Sequence, residues 1–176
     1  MTQDKWKGSV EVVTNLAVLL VAVVVLATFA KSYFAGGRSP RLEAGLRKGE
    51  AFSPVRGLDY GGSPLTLLIV MNTNCHYCTE SVPFYRKLAE AQRTGGRAAR
   101  VVAVFPNDEA EVREYARQTG LDLEKVSGVD FSKLNVGGTP TAILIDSGGT
   151  VRDFWVGKLP SESEQQIINA LGEPAT

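Results

Sequence analysis

The chain has 176 residues, two cysteines and one histidine, and its 19 basic and 19 acidic residues cancel. That length admits one compact domain plus an appendage. With no net field, no basic stripe interleaved with aromatics, no repeat and no low-complexity tract, nothing favours nucleic acid binding, a solenoid or a disordered chain.

The appendage comes first. Residues 1–11 are a short flank. From Val12 to Ala30, "VVTNLAVLLVAVVVLATFA" runs 19 residues without a charge, interrupted only by Thr14, Asn15 and Thr28. As a helix it would rise roughly 28 Å, about the thickness of a bilayer's hydrocarbon core. Soluble helices are apolar along one stripe, whereas this one is apolar all round from Leu16 to Leu26. Lys31 can reach head groups, and Tyr33 and Phe34 suit an interface. Residues 12–34 are therefore read as a transmembrane anchor. A cleaved signal peptide is the alternative, but the run is long for one and Val25-Leu26-Ala27 fits a cleavage site only loosely. Lys5 and Lys7 precede the span while Lys31, Arg38 and Arg41 follow it, so flanking charge alone would leave the C-terminal part inside. A single N-terminal span ahead of a folded domain is the usual export arrangement, and an exported domain is the orientation expected.

Gly- and charge-rich residues 35–48 read as a linker, and residues 49–176 as the folded domain. Leu65 to Met71, "LTLLIVM", predicts a strand buried on both faces. Thr79 to Gln92 predicts a helix burying Val82, Tyr85, Leu88 and Ala89, ended by Gly95-Gly96. Val101 to Phe105 is a second buried strand. Asn107 or Asp108 caps a helix running to Gly120 that buries Val112, Tyr115 and Ala116. Thr141–Ile145, the turn "DSGG" and Val151–Val156 form a hairpin. Ser161 and Glu164 have capping-box spacing at the start of a last helix that buries Ile167, Ile168 and Leu171. This order predicts an α/β domain, a mixed sheet covered by helices on both faces.

Both cysteines lie in "NTNCHYCTESVPF", Asn72 to Phe84, where the first strand gives way to a helix. A reactive cysteine attacks as the thiolate, and the first-turn N–H groups and positive end of a helix would stabilise Cys75 in that form. Cys78 is one turn on, close enough to close a disulfide. Cys75 would be the exposed nucleophile and Cys78 the buried resolving thiol, with His76 a second source of positive charge. Other readings stay open. A zinc site needs four ligands, and no second Cys or His cluster exists. Covalent haem attachment needs His after the second Cys, and Thr79 stands there. Two inert core cysteines are the plainest alternative. No metal or cofactor is expected.

"NCHYC" behind a buried strand, Pro83 five residues past Cys78, and "GGTPT" ahead of a strand together resemble the thioredoxin fold, over about Gly49 to Leu171. The resemblance implies that Pro83 kinks the active-site helix, that Pro140 is a cis-proline facing the disulfide, and that Thr139 offers its backbone to a bound substrate strand. "VVAVFPNDEAEVREYARQTGLDL" is similar to the helix and strand that the membrane-anchored TlpA/ResA-like branch inserts in mid-fold. "VDFSKLNVGGTPTAILIDSGGTV" resembles that branch's run into the cis-proline. Several positions depart from these families. Asn74 stands where tryptophan is common, and Ile69 where thioredoxins carry a buried acid. Ser81 occupies the place of a ResA-like glutamate, with Glu80 one position off. His76-Tyr77 matches neither the Gly-Pro of reducing thioredoxins nor the Pro-His of DsbA-like oxidants, so this redox-tuning pair leaves the direction of electron flow open.

The expected function is an extracytoplasmic thiol-disulfide oxidoreductase, anchored by a single pass in a bacterial cytoplasmic membrane, that reduces disulfides of exported proteins. Cys75 and Cys78 would be catalytic, His76 and Tyr77 tuning, and Thr139 and Pro140 substrate-binding. Its partners would be protein thiols or disulfides and a membrane electron donor, with no nucleic acid. The alternatives are a DsbA-like thiol oxidase and a non-enzymatic module that binds Cu(I) between soft thiolates or binds protein.

Overall fold

A computed structural model describes residues 15–26, 45–93 and 99–172. The chain divides into two units, Met1–Arg41 and Leu42–Thr176. In the first, residues 15–26 form a helix (α1) with every side chain exposed, Leu20 and Leu26 among them. Among the described residues no helix is long and apolar enough to cross a membrane. The expected span extends past this helix at both ends, so residues 12–14 and 27–34, the flank 1–11 and most of the linker lie outside the described residues.

The second unit is built on a five-stranded sheet of order β3-β2-β1-β4-β5. β1 (Leu65–Val70) is central, parallel to β2 (Ala99–Val104) and antiparallel to β4 (Thr141–Asp146). With neighbours on both sides and cover on both faces, all six of its residues are buried, which is why the sequence there shows no alternation. Side chains still alternate between faces. Leu65, Leu67 and Ile69 join one buried cluster, and Leu68 and Val70 join another. β5 (Val151–Val156) closes one edge as a hairpin with β4.

The two faces are covered by different material. Helices α2 (His76–Arg93), α3 (Glu109–Thr119) and α4 (Ser161–Gly172) all contribute to the cluster that contains Cys78, through residues such as Tyr85, Val112 and Ile167. The opposite face, where helices were also expected, is closed by Leu46, Phe52, Val55 and Leu58 and by the short 3-10 turn Phe131–Lys133 with Leu134. Leu46 falls in the stretch read as linker, yet it is buried in this second core. The covering segment is held like a strand: Gly49 N–H donates to Val151 O at 2.8 Å and Phe52 N–H to Gly149 O at 2.8 Å.

Other differences follow from long-range pairing. The edge strand β3 (Glu124–Val126) has no apolar signature, because its residues are exposed or half-buried and only its ladder with β2 makes it a strand. α3 is capped as its sequence suggests, by Asp108 rather than Asn107. The Asp108 side chain accepts from Glu111 N–H, and Gly120 takes the left-handed conformation at φ 67°. α4 begins differently. Its first bond runs from Glu164 N–H to Pro160 O, so Pro160 and not Ser161 holds the cap position. α2 begins at His76, three residues before the Thr79 expected, which places Cys78 inside its first turn.

Candidate functional site

The turn between β1 and α2 is held by its own side chains. Asn72 Oδ1 accepts from Asn74 N–H at 2.9 Å, and Asn72 O accepts from Cys75 N–H at 3.1 Å. Across the sheet, Asn107 Oδ1 accepts from Thr73 N–H at 3.1 Å while its amide donates to Glu111. The turn is thereby fixed from both ends, and Cys75 lies at the mouth of α2.

Cys75 and Cys78 form a disulfide, with their Cα atoms 5.2 Å apart. The two sulfurs are in unlike surroundings. Cys78 is fully buried and shares a cluster with Ile69, Met71 and Val82, whereas Cys75 is half-exposed at the edge of that cluster. Cys78 N–H donates to Cys75 Sγ at 3.1 Å, the helix-terminus contact that would stabilise a thiolate there. Behind the pair the floor is apolar. Ile69, where thioredoxins carry a buried acid, is at zero exposure, and burial pushes the Tyr85 phenol up so that it stays neutral. Ser81, at the other expected acid position, is buried and donates to Tyr77 O at 2.8 Å.

The backbone of Thr139, next to Pro140 in the chain, reaches Cys75. The Thr139–Pro140 peptide bond is cis. The Thr139 carbonyl oxygen lies 3.4 Å from Cys75 Sγ, within reach of an S–H donor once the pair is reduced. Thr141 Oγ1 donates to Gly138 O at 2.7 Å, and Gly157 N–H donates to Pro140 O at 2.7 Å, so this loop is clamped between its own turn and the end of β5. Pro83 lies within α2, exposed. Lacking an N–H, it leaves the Thr79 carbonyl without its helical donor.

His76 and Tyr77 project outward, 79% and 59% exposed, their rings edge-on at 5.7 Å. His76 Nε2 lies 3.2 Å from Glu80 Oε1. The other Glu80 oxygen accepts from Lys158 Nζ at 3.0 Å. Lys158, mainly through this hydrogen bond, holds the Glu80 carboxyl below the usual carboxylate range, with His76 adding to the effect. The spacing of His76 and Glu80, four apart on a helix, was readable from the sequence. Lys158 was not, since 78 residues separate it from Glu80. Thr79 was missed too: its hydroxyl lies 3.4 Å from Cys75 O and 3.3 Å from the Tyr115 hydroxyl, tying α2 to α3. Among the described residues no group of three or more His, Cys, Asp or Glu could hold a metal ion.

No protein-family model matches the sequence, and no curated protein does. Solved structures do. A Chlorobium tepidum protein assigned as thiol:disulfide interchange protein DsbE is similar at 25% identity and a TM-score of 0.56, over 72% of this chain and 99% of its own. A thiol:disulfide interchange protein from Bacteroides sp. gives 13% identity and a TM-score of 0.59, over 73% and 92%. StoA from Bacillus subtilis gives 15% and 0.50, over 59% and 81%. The structural neighbours are thioredoxin-fold proteins of the thiol:disulfide interchange type, and the fold of this chain is thioredoxin-like.

Proposed function

We propose that this chain is a thiol-disulfide oxidoreductase of the TlpA/ResA-like kind, held at a bacterial cytoplasmic membrane by its N-terminal helix, with its thioredoxin-like domain outside the cytoplasm reducing disulfides of exported proteins. The observation that carries the reading is the Cys75–Cys78 disulfide, with Cys75 half-exposed against the Thr139 carbonyl and Cys78 fully buried. The likeness to the Chlorobium tepidum protein supports it.

In the reducing direction the Cys75 thiolate attacks one sulfur of a client disulfide. A mixed disulfide forms and the other client sulfur leaves as a thiolate. Cys78, deprotonated, then attacks Cys75 Sγ and expels the second client sulfur, which takes up a proton. The client leaves as a dithiol and the pair remains a disulfide. The Thr139–Pro140 edge would hold the client as an added strand beside Cys75. A membrane electron donor must supply two electrons and two protons to restore the dithiol. The direction is supported by what surrounds Cys75: one backbone N–H on its sulfur, an apolar floor, and a histidine engaged by Glu80. A thiolate with little stabilisation belongs to a pair of low potential.

The reduction potential of the pair in the detergent-solubilised full chain, equilibrated with dithiothreitol buffers, tests the direction. A value near that of thioredoxin, about −270 mV or below, is expected. A value near about −120 mV would turn the enzyme into an oxidase. Cys78→Ser should accumulate a mixed disulfide through Cys75, and no adduct would count against the assigned roles. The anchor and orientation are tested by alkaline extraction of membranes and by labelling reduced Cys75 in intact cells with an impermeant thiol reagent.

A further inference from the structure

Glu80, His76 and Lys158 form a polar cluster that begins one residue from Cys75. A histidine from α2 and a lysine from the loop after β5 meet on one carboxylate beside the site. His76 is the residue next to Cys75 on α2. Lys158 follows Gly157, whose N–H is bonded to Pro140 O, and Thr139 O in turn lies 3.4 Å from Cys75 Sγ. The distances are 3.2 Å from His76 Nε2 to Glu80 Oε1 and 3.0 Å from Lys158 Nζ to Glu80 Oε2. Among the described residues His76 meets Glu80 and the Tyr77 ring, and Lys158 meets Glu80.

We propose that Glu80 is a positioning residue that keeps the pair reducing: its carboxylate takes up the positive ends of His76 and Lys158, which would otherwise stabilise the Cys75 thiolate and draw the pair toward the dithiol. A cation close to a thiolate lowers its pKa, and stabilising the reduced form of a dithiol raises its potential. With Glu80 ionised, its carboxylate faces the Lys158 ammonium and the His76 ring together. With a glutamine there, the Lys158 charge is uncompensated and the His76 ring loses its acceptor. The bridge also ties the Gly157–Lys158 loop to α2, so the same residue joins the cis-proline side of the site to the cysteine side. This deepens the proposed function and rests on it, because it requires Cys75 and Cys78 to interconvert between disulfide and dithiol.

The test is the equilibrium of the detergent-solubilised full chain with glutathione at pH 8, close to the ordinary pKa of a thiol, where stabilising the Cys75 thiolate changes the dithiol population. In it two glutathione thiols become one glutathione disulfide while the Cys75–Cys78 disulfide gains two electrons and two protons. Native chain, Glu80→Gln, Glu80→Gln with Lys158→Met, and Glu80→Gln with both Lys158→Met and His76→Asn are compared. Glu80→Gln is expected to shift the constant by up to roughly fivefold toward the dithiol, the range of exposed charge pairs. Removing Lys158, and then His76 as well, should return it to the native value. A merely structural Glu80 would give a shift, or a loss of thermal stability, that the further substitutions do not reverse, and that overturns the proposal. A native chain that cycles normally with no shift in Glu80→Gln overturns it too, while leaving the oxidoreductase reading intact. A native chain whose pair does not cycle at all removes both readings.

Discussion

Beneath the disulfide, Cys78 shares its cluster with Ile69, Met71, Val82 and Tyr85, all within a few per cent of complete burial. Above it, Cys75 meets a carbonyl, a backbone N–H and, one residue away, the exposed His76 with its bridge to Glu80 and Lys158. The same bond therefore has a dry half and a wet half. A sulfur in the dry half is protected from attack, and charge there is costly. A sulfur in the wet half is reachable, and charges around it are cheap to place and screened by salt. The order of attack in the proposed function, Cys75 first and Cys78 second, rests on this difference and not on any difference in the cysteines themselves.

The strongest way to break the comparison is to remove one sulfur from each half. Cys75→Ser should reduce disulfide turnover by at least about a thousandfold, since no second thiol faces solvent. In the reduced native chain an alkylating reagent should modify Cys75 well before Cys78. Equal rates would mean that the buried half opens as readily as the exposed one. The next effect is on the floor. Ile69→Asp places a carboxyl at zero exposure among apolar neighbours and should cost about 3–5 kcal/mol at neutral pH. The folded pKa of that carboxyl would be raised by burial, so both states are neutral below about pH 4. The penalty then grows as pH rises toward the folded value. Equilibrium unfolding at pH 4 and pH 7 reads this directly, and a loss independent of pH would mean simple mispacking.

The dry half was legible in the sequence and the wet half only partly so. β1, the apolar face of α2 and the hairpin announce themselves through local pattern. Cys75, Cys78 and Pro140 do so through motif and spacing. What sequence left out depends on partners distant along the chain. Asn107 fixes the Thr73 turn from 34 residues away, and Lys158 reaches Glu80 from 78. β3 is a strand only because β2 offers it an edge. The Leu46–Leu58 cover has neither helical nor alternating periodicity, so its burial could not be read before the sheet it lies on was known. The fold was legible where each residue's neighbours were its own segment, and illegible where two segments had to meet.

A smaller effect tests whether the wet half needs its backbone clamp. Gly157 has φ 86°, and a Cβ there would meet nothing within 4 Å. Gly157→Ala should thus cost only the left-handed backbone strain, about 1 kcal/mol. If the Gly157 N–H to Pro140 O bond holds the substrate edge in place, the same variant should also raise KM for a protein client severalfold with kcat less affected. A stability loss with unchanged KM would remove Gly157 from the site.

The smallest effect concerns the exposed charges. Lys158 chiefly, and His76 in addition, hold the Glu80 carboxyl below its ordinary value. A carboxylate depressed in the folded state contributes stability above its unfolded pKa, and that contribution is lost as pH falls through the folded value. Below about pH 4.5 the unfolding midpoint of the native chain should therefore fall more steeply with acid than that of Glu80→Gln, the curves converging at the acid end. Because the groups are exposed, high salt should bring the curves together across the range, whereas the penalty at the buried position 69 should persist. If salt erased both differences alike, the floor would be as wet as the mouth, and the order of attack drawn from their contrast would lose its physical basis.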